Sequence, residues 1–184
     1  MILIRHGQSE FNVHYGRTRQ DPGIRDPVLT EEGRAQAYAA AATLGAHDVR
    51  RLVSSPYRRA LETAEIIAGA LGLPVTVDPT VGERAAFSCD FGSGPDELAR
   101  RWPAWSFDHL AEQWWPAHEE PEAGLLARCA RFRRVTDALD DRDHVAIVSH
   151  WGFIRALTGL AVPNATAVRF RIRPEPAAEV VHPG

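Results

Sequence analysis

Arg5, His6 and Gly7 stand directly behind a short apolar run, Met1 to Ile4. A cation, an imidazole and a glycine at the mouth of a strand suit a phosphoryl group. The guanidinium is a fork of donors matched to phosphate oxygens. The imidazole can serve as a covalent nucleophile, and glycine lets backbone approach a ligand closely. An Arg-His pair alone is common on solvated loops. Its weight here comes from a second arrangement far along the chain, Val145-Ala146-Ile147-Val148-Ser149-His150, where four apolar residues run into serine and histidine.

The elements that must position these groups follow from pattern. Residues 2–4 read as a short buried strand, and residues 8–28 as a polar, loop-rich passage. Thr30 is placed to cap an Ala-rich helix that ends near Gly45, with Glu31 and Glu32 favourable to its dipole. Residues 49–54 read as a strand. Ser55-Pro56 then caps and starts a helix with apolar face Ala60, Ala64, Ile67 and Leu71, stopped by Gly72. Residues 75–77 form a third strand. Residues 81–120 are irregular, and residues 124–139 regain a helical period. A strand at 145–148, a helix at 153–160 and two late strands at 168–172 and 179–181 complete the chain.

Strands alternating with helices imply an α/β domain with a mainly parallel sheet. In such sheets ligands bind outside the carboxyl ends of the strands. Three segments therefore converge: Arg5-His6-Gly7, Ser54-Ser55-Pro56-Tyr57-Arg58-Arg59, and Ser149-His150. The helix after Pro56 also turns its positive end toward that edge. An anion is the natural occupant.

Composition narrows the field. The 184 residues fit one domain, 1–184, and carry a net charge of −3, so no global field favours nucleic acid or an anionic membrane. Cys89 and Cys129 have no disulfide or metal-ligand pattern and read as packing thiols. His14, His47, His109, His118, His144 and His182 show no metal-like spacing; among them His109 is the one to watch. No run reaches the roughly 18 apolar residues of a membrane span, and no leader precedes the first strand. A cytoplasmic protein with no metal or cofactor is expected.

Four segments resemble the histidine phosphatase superfamily, the group that includes phosphoglycerate mutase, and they occur in that family's order. Leu3-Ile4-Arg5-His6-Gly7-Gln8-Ser9-Glu10-Phe11-Asn12 is similar to its opening motif. Asp26-Pro27-Val28-Leu29-Thr30-Glu31-Glu32-Gly33, with Gln36-Ala37, resembles its first-helix motif. Ser54 to Ala64 resembles the second site segment, with the family arginine at Arg59 rather than Arg58. Ser149-His150 with Gly152 is similar to the second histidine motif.

The resemblance implies a three-layer α/β/α sandwich and a phosphohistidine intermediate on His6. It implies that Arg5, Arg59 and His150 grip the phosphoryl oxygens, with Gly7, Ser9 and Asn12 adding to the phosphate site. His6 must be neutral to attack, so a backbone carbonyl should hold one ring nitrogen. Glu83 resembles the family's proton donor, with Asp90 as the alternative. The expected partner is a small phosphorylated substrate, and the chain is read as a monomer or homodimer.

Departures from the family fall after Glu83. The run Glu83-Arg84-Ala85-Ala86-Phe87-Ser88-Cys89-Asp90 shares only its first two residues with the mutase pattern. A mutase must also keep water from its phosphohistidine, and only residues 85–120 could provide cover. Hydrolysis is therefore favoured. Mutase-type transfer and a non-catalytic phospho-ligand or partner-binding module of the same fold remain the alternatives. Residues 85–120 read as a lid. Within it, Trp102, Trp105, Trp114 and Trp115 either pack it together or line the substrate pocket, and both can hold. Trp151 narrows the pocket or simply packs.

Overall fold

The computed structural model describes residues 1–172 and 177–182. Six strands form one sheet: β1 (Ile2–Arg5), β2 (Arg51–Ser54), β3 (Val75–Val77), β4 (Val145–Ser149), β5 (Ala167–Arg171) and β6 (Ala177–His182), in the order β3-β2-β4-β1-β5-β6. The first four are mutually parallel, β5 runs antiparallel to β1, and β6 antiparallel to β5. The two late strands thus lie at one side of the sheet, with β6 at its edge.

Alternation along the strands sets the layers. Ile2 and Ile4, with Leu52, Ala146 and Val148, face α2 (Glu31–Leu44) and α3 (Arg58–Leu71), meeting Ala40, Leu44, Ala60, Ala64 and Ile67. Leu3, Val145 and Ile147 face the other way, onto α5 (Glu122–Asp137) and α6 (Trp151–Thr158) through Phe132, Phe153, Ile154 and Leu157. The expected α/β/α sandwich with a mainly parallel sheet is therefore the architecture. No helix among the described residues is long and apolar enough to cross a membrane.

Four local expectations change. The passage at 8–28 contains a helix, α1 (Glu10–Thr18), started by a capping box between Ser9 and Asn12 and closed by Arg19 in the left-handed region. The helix expected from Ser55-Pro56 begins at Arg58 instead. Tyr57 is still extended, and the Asp26 carboxylate, not Ser55, accepts the first helical N–H, that of Arg58, at 2.9 Å. The irregular stretch holds α4 (Pro95–Arg101), opened by proline at its first position. Finally, α6 starts at Trp151, directly after His150 as its N-cap residue, two residues before the expected start.

Candidate active site

Strand register brings the reactive groups together. Arg5 pairs with Ser149 across β1 and β4, and Ser54 with Val148 across β2 and β4. The next residues, His6, His150 and Ser55, therefore emerge side by side from the carboxyl edge. The His6 N–H donates to the Ser149 carbonyl at 3.0 Å, and the two imidazole centroids lie 5.1 Å apart.

His6 is buried, and its Nδ1 lies 2.7 Å from the Gly7 carbonyl. Because a carbonyl only accepts, Nδ1 carries the proton and Nε2 keeps its lone pair. Burial, then the Arg59 and Arg5 charges, hold its pKa well below that of an ordinary histidine, outweighing the Gly7 hydrogen bond that opposes them. The segment is braced from behind. Asn164 Nδ2 donates to the His6 carbonyl at 3.1 Å, and the Gly7 N–H donates to Thr63 Oγ1 at 3.1 Å. A Cβ on Gly7 would collide with the Gly33 carbonyl, so glycine here serves backbone packing rather than the cleft wall.

His150 Nε2 lies 2.8 Å from Ser55 Oγ, and its Nδ1 is buried with no partner among the described residues. Burial, followed by Arg59 and His6, lowers its pKa well below the ordinary value. Arg5 donates through Nη1 to the Val162 carbonyl at 2.8 Å, and burial brings its pKa down to about 10, still cationic at neutral pH. Arg59 donates to the Cys89 carbonyl at 2.7 Å and to Asp90 Oδ1 at 3.0 Å.

Glu83 and Asp90, the two acid candidates, separate here. Asp90 is buried and fully engaged: one oxygen receives Arg59, the other the backbone N–H groups of Ala86 and Phe87 at 3.0 and 3.1 Å. Glu83 Oε1 accepts the N–H groups of Arg84 and Gly152, each at 2.8 Å. Burial, then Asp90, push the Glu83 carboxyl up to about 7, with Arg59, the Arg84 N–H and Arg5 pulling the other way. Arg128 fixes this turn by donating to the carbonyls of Thr80, Gly82 and Glu83.

Arg5, His6, Ser9, Asn12, Arg59, Glu83 and Asn164 border one cleft of about 730 Å³; its outer wall holds Phe11, Tyr15, Phe87 and Trp151. Gly7 does not border it, and His150 sits fully buried beneath, against His6. Ser9 and Asn12 are on the wall, with Ser9 Oγ donating to Asn12 Oδ1 at 3.0 Å within the helix cap. His109 lies elsewhere, bonded to the Val77 carbonyl.

Trp102, Trp105, Trp114 and Trp115 do not border the cleft. Trp102 packs with Leu61, Val77, Leu98, Phe107 and Leu110, and Trp105 stacks on it. Trp114 meets Tyr57 edge-on at 4.7 Å, and Tyr57 in turn meets His150 edge-on at 5.1 Å. The tryptophan segment thus buttresses the site from behind. Sequence reasoning missed Ser55, Asn164, Thr63 and Arg128. For Ser55 a signal existed, since it follows β2 as His150 follows β4.

Comparison with known proteins gives one answer about kinship. Glucosyl-3-phosphoglycerate phosphatase of Mycolicibacterium vanbaalenii is 33% identical over 180 residues, covering 89% of this chain and 76% of that protein. The 2,3-bisphosphoglycerate-dependent phosphoglycerate mutase of Thermoplasma acidophilum is 43% identical over 77 residues, covering 42% of this chain but only 37% of its own length. The structure of mycobacterial glucosyl-3-phosphoglycerate phosphatase with VO3 superimposes with a TM-score of 0.66 at 25% identity, covering 98% of this chain and 96% of that one. The profile of the histidine phosphatase superfamily (branch 1) matches residues 1–181, and the chain belongs to that family.

Proposed function

We propose that this protein is a phosphoric monoester hydrolase that acts on a small phosphorylated metabolite through a phosphohistidine on His6. The observation that carries the reading is the Nδ1–H of His6 on the Gly7 carbonyl, which frees Nε2 as a neutral nucleophile beside two arginines. Nε2 attacks phosphorus, and the bond from phosphorus to the ester oxygen breaks. Protonated Glu83 gives its proton to the departing alkoxide. Glu83 then takes a proton from water as that water attacks the phosphohistidine, releasing inorganic phosphate and restoring both groups.

Arg5 and Arg59 stabilise the charge on the transferring phosphoryl group, which is most of what this chemistry asks. His150, neutral and held through Nε2 by the Ser55 hydroxyl, backs the His6 ring from beneath the cleft. These side chains supply the charge and proton transfers without a metal. Hydrolysis is favoured over mutase-type transfer because the tryptophan segment packs behind the site and leaves the outer cleft to solvent. The kinship with glucosyl-3-phosphoglycerate phosphatases is consistent with hydrolysis.

The test is phosphate release from phenyl phosphate with and without EDTA, and from 3-phosphoglycerate with 2,3-bisphosphoglycerate present. Release unaffected by EDTA, and faster than phosphate exchange between the glycerate positions, supports the reading. Faster exchange than release makes the protein a mutase.

A further inference from the structure

The outer cleft carries information about the alcohol that leaves. Phe11 stacks on Tyr15 with centroids 5.4 Å apart, and Phe87 lies 5.6 Å from Phe11 and 5.0 Å from Tyr15. Trp151 borders the same cleft. Phe87 and Trp151 are each 38% exposed and belong to none of the three apolar clusters of the core. Large rings held in a concave wall, outside the core, are the usual lining of a small-molecule site.

This wall is anchored to the phosphoryl end. The N–H groups of Ala86 and Phe87 donate to Asp90, whose other oxygen receives Arg59. Phe11 sits in the first turn of α1, whose cap residues Ser9 and Asn12 border the cleft. The rings are thus set in place relative to His6 before a ligand arrives, which lowers the ordering cost of binding. The charged groups nearby largely occupy one another: Arg84 donates to Glu119 at 3.1 Å and to the Glu120 carbonyl at 3.0 Å. Arg19 lies 5.7 Å over the Tyr15 ring. A polyol would meet few unengaged polar partners here, and a flat ring would meet the exposed apolar surface of Phe87 and Trp151.

Resting on the reading of His6 as the phosphoryl acceptor, we propose that the substrate is a small phosphomonoester whose alcohol bears an aromatic ring, recognised by Phe87 with Tyr15 and Phe11, and by Trp151. The cleft of about 730 Å³ accommodates such a molecule.

The experiment compares 2-phenylethyl phosphate with ethyl phosphate, two alkyl esters of similar leaving ability that differ by the ring. The wild-type enzyme is expected to favour the phenylethyl ester by about tenfold or more in kcat/KM, mostly through KM, the scale of one or two aromatic contacts. In Phe87→Ala and Trp151→Ala, confirmed folded by circular dichroism, the ratio is expected to fall toward one. Equal kcat/KM for the two esters in the wild type overturns this inference alone, as does a preference that survives in both variants. Turnover of neither ester by folded wild-type protein overturns the phosphatase reading and this inference together.

Discussion

The Arg59 guanidinium donates to Asp90 Oδ1 at 3.0 Å, and the two side chains are 3% and 2% exposed. Such a pair is costly to break, because removing one partner strands the other charge out of water. It also occupies the carboxylate of Asp90, which borders the cleft as Glu83 does, and so favours Glu83 over Asp90 as the proposed proton donor. Asp90→Ala is expected to destabilise the fold by about 3–5 kcal/mol in urea unfolding. Asp90→Asn, which keeps an acceptor for the N–H groups of Ala86 and Phe87, is expected to lose less. Equal stability of Asp90→Ala and wild type would remove the counter-ion role.

Glu83 is held near a pKa of about 7, chiefly by burial. As the donor to an alkoxide it must be protonated, so kcat/KM for an alkyl phosphate should fall as pH rises through about 7. Glu83→Gln should lower kcat for alkyl esters by about 10²–10⁴-fold and abolish that fall. Stability falls in the same direction, over the window just below. The unfolded carboxyl loses its proton first, so between pH 4.5 and 7 the folded state binds more protons and wild-type stability declines. The stability advantage of Glu83→Gln over wild type should therefore grow across that window and level off above it.

His6 and His150 are held neutral by burial and by the neighbouring Arg59 charge. Below pH 6.5 the unfolded chain binds protons that these histidines refuse in the fold, so their contribution to stability is lost as pH falls. Replacing His6 by Gln removes one proton from this balance. The slope of unfolding free energy against pH near 5.5 is expected to drop by about 1 kcal/mol per pH unit. An unchanged slope would mean that His6 protonates normally in the fold.

Gly152 is the position where an added Cβ would run into Glu83 Oε1. Its N–H also donates to that oxygen, so Gly152→Ala should displace the acid without touching His6. A misplacement of this size costs about 10²-fold in turnover. The loss should be large for ethyl phosphate and small for p-nitrophenyl phosphate, whose leaving group needs no proton. Equal losses on both would place the damage elsewhere.

The convergence of Arg5, His6 and His150 was legible in the sequence because apolar strands end directly at the reactive residues, whereas the choice of Arg59 within the helix after β2 came from the family resemblance. Parallel pairing then leaves little choice about where those side chains emerge. The α1 helix was not legible. Its apolar residues Phe11, Val13 and Tyr15 are few, Gly16 interrupts them, and a capping box between Ser9 and Asn12 starts it where the pattern reads as loop. The aromatic wall went unseen for the same reason, since Phe11 and Tyr15 come from that helix and Phe87 from the irregular stretch. Tryptophan content pointed at residues 102–115. Those rings instead fill the space beside α3 and behind His150, which only tertiary packing decides.

The central claim is that His6 Nε2 carries the phosphoryl group during turnover. Wild-type protein mixed with ³²P-labelled phenyl phosphate and quenched in alkali within milliseconds should retain label that is stable in base and labile in acid, mapping by peptide mass spectrometry to His6. His6→Ala should retain none and release no phosphate. Label on another residue, or full turnover by His6→Ala, would contradict the account.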